Sequence, residues 1–417
     1  MSEVLSCFDP AANPGGMLPV ADSIAHILQQ VAAPEISEMV ALTDATGRVL
    51  AQDLISEHNV PQQTNSAMDG YAVNSATVSP DQPVKVIGRV FAGERFDGLV
   101  GTGEAVEIMT GAPVPEGADS IIIREACEII GDQLSYIGPI KTGQHVRQAG
   151  EDIKQGSVAL KKGNLLRPQE LGLIASLGQK EVAVYPQLKV AIFSTGDEVI
   201  PQGESLPENC IYDTNRFTLT GMLQRLGCEV LDLGIIDDNQ NAMETALREA
   251  SAKADMVISS GGVSMGKADF IKNALEAVGE INFWRIAMRP GRPLAFGQLD
   301  KTPFFGLPGN PVAVMVTFTQ FVQPAIRKMM GQADWQPKRM VAVAEERLKS
   351  REHRTDYSRG VYRINENGQL VVKSTGAQGS GILTSMVQAN CFIEIQDQFS
   401  EIEAGQTVLI QPFSDLL

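Results

Sequence analysis

Residues 255–269, DMVISSGGVSMGKAD, carry the pattern on which the reading of this chain turns. Residues suited to a buried strand run into a Ser/Gly-rich turn, and a charged helix start follows. Such a turn leaves backbone N–H groups bare and pointing outward, which is how proteins hold phosphates and other oxyanions. Gly261, Gly266 and Lys267 fit the phosphate-loop spacing GxxxxGK, but Ala268 stands where a Ser or Thr would bind magnesium. The turn points to anion binding. A metal here needs ligands from elsewhere, and Asp269 is the nearest candidate.

The same strand, turn and helix pattern repeats on either side. LKVAIFSTGDE reads as a strand entering a polar turn, and FTLTGMLQRLG as a helix closed by Gly227. EVLDLGIIDD is a further strand and NAMETALREASA a helix; beyond the quoted strand, FIKNALEAVG is helical. INFWRIAM, PLAFGQL and PFFGLPG read as strands, then VAVMVTFTQFVQPAIRKMM as an apolar helix kinked at Pro324. This alternation predicts a parallel sheet covered on both faces, with ligands beyond the carboxyl ends of the strands. The turns at 194–198, 237–239, 259–269 and 307–311 should therefore converge on one rim.

Residues 60 to 150 differ. Short β-rich runs alternate with Gly/Pro turns, which predicts a small β domain inserted between flanks that pack together. Helical patterns at 20–32 and 168–178, with an extended stretch near 152–166, form the connecting segment. From about 331, GVYRINENGQLVVKS, NCFIEIQ and QTVLIQPF read as a compact β barrel or sandwich. The expected division is a discontinuous connecting domain (20–60 and 147–180), a β-rich insertion (61–146), an α/β domain (181–330) and a C-terminal β-barrel domain (331–417).

Composition limits the function. At 417 residues the chain exceeds a single core. A formal net charge of −16 speaks against a nucleic-acid binder held by phosphate contacts, though not against a small anionic ligand met by a local field. No apolar run approaches the ~20 residues a membrane helix needs, and the first twenty residues, with Glu3, Asp9 and three prolines, do not read as a secretion signal. Five scattered cysteines without CxxC spacing fit a reducing cytoplasm, and four isolated histidines show no metal-ligand spacing.

Acidic side chains recur at tight turns: Asp69 before Gly70, Glu151 and Asp152 after Gly150, and Asp197 and Glu198 at a strand end. Singly, each reads as a turn or cap residue. Together on one rim, hard carboxylate oxygens suit magnesium bridging to an anionic substrate. The basic counterpart is RIAMRPGRP, in which Arg285, Arg289 and Arg292 offer planar forks to tetrahedral oxyanions, or else pair with the chain's own carboxylates. Arg147 is a further partner for an anion or for Glu151. Pro308, Gly309, Asn310 and Pro311 make a rigid turn, which is also what a plain strand-to-helix connection needs. Thr110 and Gly111 can place a hydroxyl and an N–H at a ligand; the following APVPEGA reads equally as a hairpin turn.

NSAMDGYAV, IMTGAPVPEGAD, RQAGEDI, FSTGDE, IYDTN, SSGGVSMGKAD, AMRPGRPLAFG and GLPGNPVA, in this order and spacing, closely resemble the bacterial molybdopterin molybdenumtransferase (MoeA) family, to which gephyrin's E domain belongs. The resemblance runs from about residue 20 to the end. It implies an elongated homodimer of four-domain subunits, whose α/β part is a molybdopterin-binding domain. It implies the last step of molybdenum cofactor assembly: molybdate enters the dithiolene of adenylylated molybdopterin and AMP leaves, with Mg2+ assisting. The cleft would lie between the α/β domain of one subunit and the insertion of the other. Carried over by motif, Asp69, Thr110, Arg147 and Asp152 come from the insertion, and Glu198, Asp238, Asp269, Pro308 and Pro311 from the α/β side.

On this reading Asp69, Asp152, Glu198, Asp238 and Asp269 are the catalytic carboxylates, with Glu198 and Asp269 placing the metal or its bound water. Gly261, Gly262 and Ser264 hold phosphate, Arg285 and Arg289 the anionic end, and Ser194, Thr195, Gly196, Gly309 and Asn310 join the substrate contacts. A molybdopterin adenylyltransferase upstream and molybdoenzyme-maturation proteins downstream are the implied partners. Two segments depart from the family: its three lysines in KxxxKPGKP are arginines here, and Asp237-Asp238-Asn239 replaces a basic residue followed by two aspartates, leaving Asp237 or Asp238 as the functional one. A scaffold keeping the fold is the competing reading, which the intact acidic motifs disfavour; no residue separates molybdate from tungstate.

Overall fold

The computed structural model describes residues 16–261 and 268–415 and, of residues 268–272, 283 and 415, the backbone alone. At its centre stands a six-stranded sheet. Its strands are β1 (Lys189–Thr195), β2 (Glu229–Ile236), β3 (Met256–Ser260), β4 (Glu280–Arg285), β5 (Pro293–Leu299) and β6 (Thr302–Leu307), in the order β2-β1-β3-β6-β5-β4. Helices α1 (Asn215–Arg225), α2 (Gln240–Lys253), α3 (Ala268–Val278) and α4 (Pro311–Thr317) alternate with them. Because side chains alternate across a strand, β1 sends Val190 and Ile192 to one core with Leu219, Phe305 and Val312. Ala191 and Phe193 go to the other, with Met243, Leu247 and Leu275. Each fully buried side chain of this size contributes about 1.5–3 kcal/mol.

The expectation of a parallel sheet needs correction. β1, β2, β3 and β6 are parallel, but β5 runs antiparallel to both β6 and β4. The cause is the connection: Leu299 pairs with Thr302 across a tight turn, and only antiparallel neighbours can be joined so closely. The segment INFWRIAM also divides. β4 stops at Arg285, and Met288–Arg289 pairs instead with the C-terminal domain. The long apolar helix is interrupted by a π-helical segment, Phe318–Val322, before Gln323–Met329. Pro324 cannot donate to the carbonyl four residues back, so the ladder loosens on its N-terminal side.

The C-terminal region closes into a barrel of β7 (Met340–Ala344), β8 (Thr355–Ile364), β9 (Leu370–Ser374), β10 (Cys391–Ile395) and β11 (Thr407–Pro412); β8 pairs with both β9 and β10, which seals it. A buried polar chain ties this barrel to the helix before it. Gln320 donates to Gln411 at 2.8 Å, and Gln411 donates to Glu394 at 2.7 Å, where Arg339 also donates. Replacing Gln411 by Leu strands the Gln320 amide and half of Glu394's partners, and urea denaturation should show a loss of about 2–4 kcal/mol.

Residues 70–136 form a second six-stranded sheet, in which Gly70–Val73 lies between Ser120–Ile123 and Glu104–Ile108. APVPEGA is therefore not a hairpin turn, since the strands it joins flank a third. Gly70 is there because a Cβ would lie 2.0 Å from the Ile122 carbonyl oxygen. Glu38–Ala41 pairs with Glu181–Val184, and Leu54–Ile55 with Val158–Leu160. Helix Val20–Gln29 buries Ile27 and Leu28 in the α/β core beside Trp284 and Phe321.

Candidate functional site

A cleft of about 1130 Å³ opens where the strand-end turns meet the barrel. Ser194, Thr195 and Gly196 at the end of β1, Asp238 after β2, Ser260 and Gly261 at the end of β3, and Pro308 to Pro311 after β6 all line it. This is the rim expected from the alternation of strands and helices. Gly261 is forced: its φ is +94°, and a Cβ would sit 2.7 Å from the Thr195 carbonyl oxygen. Asn215 then stitches three turns together, donating to Ser260 Oγ at 2.8 Å and to the Gly309 carbonyl at 2.7 Å.

The lining is prepared for a polar ligand. Ser194 and Thr195 are 2% and 4% exposed, yet neither hydroxyl has a hydrogen-bond partner among the described residues. A buried hydroxyl left so costs stability, so such groups mark places where something else supplies the partner. Glu198 folds its carboxylate over Gly196, about 3.0 Å from where a Cβ would stand there. Asp238, rather than the exposed Asp237, is the cleft aspartate of its turn, while Asn239 caps α2 through Asn241 and Ala242. Asp213 is buried and neutralised by Arg216 at 2.9 Å, which also reaches Asp232. Among the described residues Arg289 is the cleft's cation, half-exposed and beside Pro290 and Gly291.

Other expected residues lie elsewhere. Arg285 is exposed and does not line the cleft; burial and the charges of Arg354, Arg285 and Arg351 hold Arg292 below its usual range, so these four arginines share one region. Gly262 and Ser264 lie outside the described residues, and of Asp269 only its place in the first turn of α3 is described. Asp69, Thr110, Arg147 and Asp152 do not line the cleft of their own chain. Three of them gather on the insertion: Arg147 pairs with Asn65, Gly111 N–H donates to the Ser66 carbonyl at 2.8 Å, and Thr110 touches Asp69. Asp152 is exposed and donates its N–H to the Val60 carbonyl at 3.0 Å.

The Thr110 N–H and hydroxyl both donate to Asp69 Oδ1 at 2.7 Å and hold that carboxyl below the usual range, with Arg124 adding to the effect. A lowered folded-state pKa gives stability that is complete above the unfolded value and lost as pH falls through the folded one. Thr110→Val removes one donor, so the Asp69 titration followed by carboxyl NMR should move up toward the ordinary value, and the acid window should narrow.

Sequence reasoning missed part of the cleft. Tyr212, Asp213 and Asn215 belong to it, and IYDTN held them without any role being assigned. Gln378 to Gly381 form a wall supplied by the C-terminal region. Their only signal was a Gly/Ser-rich run, TGAQGSG, amid strands. Among the described residues no three His, Cys, Asp or Glu side chains gather as a metal cage, and no helix is long and apolar enough to cross a membrane.

An α/β domain that gathers carboxylates, an arginine and two buried hydroxyls beyond its strand ends has the form of a small-molecule enzyme site. Family models sharpen that class. Residues 18–178 match "MoeA N-terminal region (domain I and II)", 191–328 "Probable molybdopterin binding domain" and 341–413 "MoeA C-terminal region (domain IV)". A molybdopterin molybdenumtransferase of Haemophilus influenzae is 46% identical over 403 residues, 96% of this chain and all of that protein. One from Nostoc is 33% identical, over 94% of this chain and 92% of its own. The structure of the molybdopterin biosynthesis moeA protein from Pyrococcus horikoshii OT3 matches with a TM-score of 0.83 at 30% identity, covering 95% of this chain and all of that one. The chain belongs to the molybdopterin molybdenumtransferase (MoeA) family, transferases of molybdenum cofactor synthesis.

Proposed function

We propose that this protein inserts molybdate into the dithiolene of adenylylated molybdopterin and releases AMP, the final step of cofactor assembly, in the cytoplasm. The observation that carries this reading is the pair of buried hydroxyls of Ser194 and Thr195, without partners among the described residues, in a cleft that also holds Arg289, Glu198 and Asp238. Both substrates are anions, so carboxylates alone would repel them. The hydroxyls and the Arg289 guanidinium bind phosphate and oxyanion, and the rigid Pro308–Pro311 turn shapes the wall.

Mg2+ suits this donor set, because it takes one or two carboxylates and completes its shell with water and substrate phosphates. Glu198 and Asp269, the expected pair, would hold it, with Asp238 of the same cleft as a further contributor, and it would supply charge neutralisation at the phosphoanhydride. Glu198 and Asp238 also orient the attacking water by accepting its hydrogens. Asp69, Thr110, Arg147 and Asp152 act in the cleft of a second copy, in an elongated homodimer. An adenylyltransferase supplies the substrate, and molybdoenzyme-maturation proteins take the product.

The test is direct. Purified protein is mixed with adenylylated molybdopterin, magnesium and molybdate, and AMP is measured. Release that depends on both metal and oxyanion is expected. Full release without either would overturn the reading, and equal release with tungstate would widen the oxyanion class.

A further inference from the structure

The α/β domain and the barrel share one short piece of sheet, Met288–Arg289 running parallel to the start of β8, with Arg289 opposite Asp356. The Thr355 N–H donates to the Ala287 carbonyl at 3.0 Å, so the backbone holds this junction. Asp356 is 3% exposed. Its Oδ1 accepts the Ser358 hydroxyl at 2.8 Å, and its Oδ2 is buried without a hydrogen bond among the described residues, 3.6 Å from Arg289 Nε. That distance is beyond hydrogen-bond reach but well within ionic attraction.

A carboxylate this deep, with one oxygen unclaimed, is costly to keep, and packing alone would be met by an uncharged side chain. Its neighbours show what it faces. Burial pushes the carboxyl up, while Ser358, Arg289, Arg359 and Arg351 pull it down. Arg359 is itself buried and builds the far wall of the cleft, donating to the Gly379 carbonyl at 3.0 Å and to Ser385 Oγ at 3.1 Å. Asp356 thus feels the charge of both the arginine in the cleft and the arginine behind its wall, and contacts the first.

We propose that Asp356 is a positioning residue, anchoring the Nε edge of Arg289 so that the terminal N–H groups of the guanidinium meet an oxyanion in the cleft. This rests on the reading above, in which Arg289 contacts the anionic substrate. The loose contact gives the guanidinium room to settle on its ligand without first breaking a hydrogen bond. Asp356 touches no substrate; it acts through Arg289 alone.

Two readouts on the full-length protein separate this proposal from the function it rests on. Equilibrium dialysis with molybdate should show about tenfold weaker binding in Asp356→Asn, the size expected for one misplaced charge-assisted contact. AMP release should show a raised KM for molybdate, with kcat and the KM for the adenylylated pterin nearly unchanged. In an Arg289→Ala background, Asp356→Asn should add nothing. Unchanged binding by a folded Asp356→Asn protein overturns the proposal, as does an undiminished effect in the Arg289→Ala background. If Asp356→Asn does not fold, Ser358→Ala keeps the charge while freeing the carboxylate; it should weaken molybdate binding to a smaller degree, and no change at all overturns the anchor. A wild-type protein that binds molybdate but releases no AMP sinks the proposed function and leaves the anchor to the dialysis.

Discussion

Glu198→Gln should lower metal-dependent AMP release by about a hundredfold or more while leaving the fold intact. The side chain is exposed at the end of β1, and its neighbours are held by backbone: Val199 N–H donates to the Gly196 carbonyl at 3.0 Å, and Ile211 N–H donates to the Glu198 carbonyl at 2.8 Å. Gln keeps the shape and the hydrogen-bonding reach of Glu but not its charge. Thermal melting should therefore stay within about 0.5 kcal/mol of the parent, as surface substitutions do. What is lost is a hard anionic oxygen in a cleft that holds few. Raising magnesium should recover part of the rate if the carboxylate acts on the metal. A variant with full activity at ordinary magnesium would remove Glu198 from the chemistry.

Mixing two inactive proteins should restore activity. Asp69→Asn damages the insertion and Glu198→Gln the α/β cleft, and the two positions do not share a cleft within one chain. If the working site joins the insertion of one copy to the cleft of another, a mixed dimer carries one site with both lesions and one with neither. Random exchange makes half the dimers mixed, so activity should return to about a quarter of the parent's. The control is a mixture of Glu198→Gln with Asp238→Asn. Each copy's own cleft then carries one lesion, so every mixed site is damaged and no activity should return. Silence in the first mixture, with exchange verified, would mean that Asp69 does not complete a neighbour's cleft.

Much of the cleft was legible along the chain because its turns are local objects. STGDE, SSGG and LPGNP each follow an apolar run, and a strand end is visible wherever such a run meets Gly, Asp or Pro. Their convergence followed from one rule about where ligands sit on α/β sheets. Residues brought in by folding were not legible. Asn215 matters because Ser260 and Gly309 are within its reach, and nothing in IYDTN states that. Asp356 lies in a strand stretch, TDYSR, to which no role was assigned, and only the pairing of Arg289 with it reveals a carboxylate behind the cleft. The insertion's carboxylates were assigned by motif to the cleft of another subunit, and the single chain holds the two sets apart.

The sequence by itself determined the order of strands and helices, the turns that end them and the family to which the chain belongs. These depend on side-chain periodicity and on short-range backbone needs, which are written residue by residue. The direction of β5, the strand shared between the α/β domain and the barrel, and the wall from Gln378 to Gly381 were decided only in three dimensions. Apolar runs record that a strand is buried but not which neighbour it will pair with. A site assembled from residues 194 to 383 exists only once the chain has closed around it.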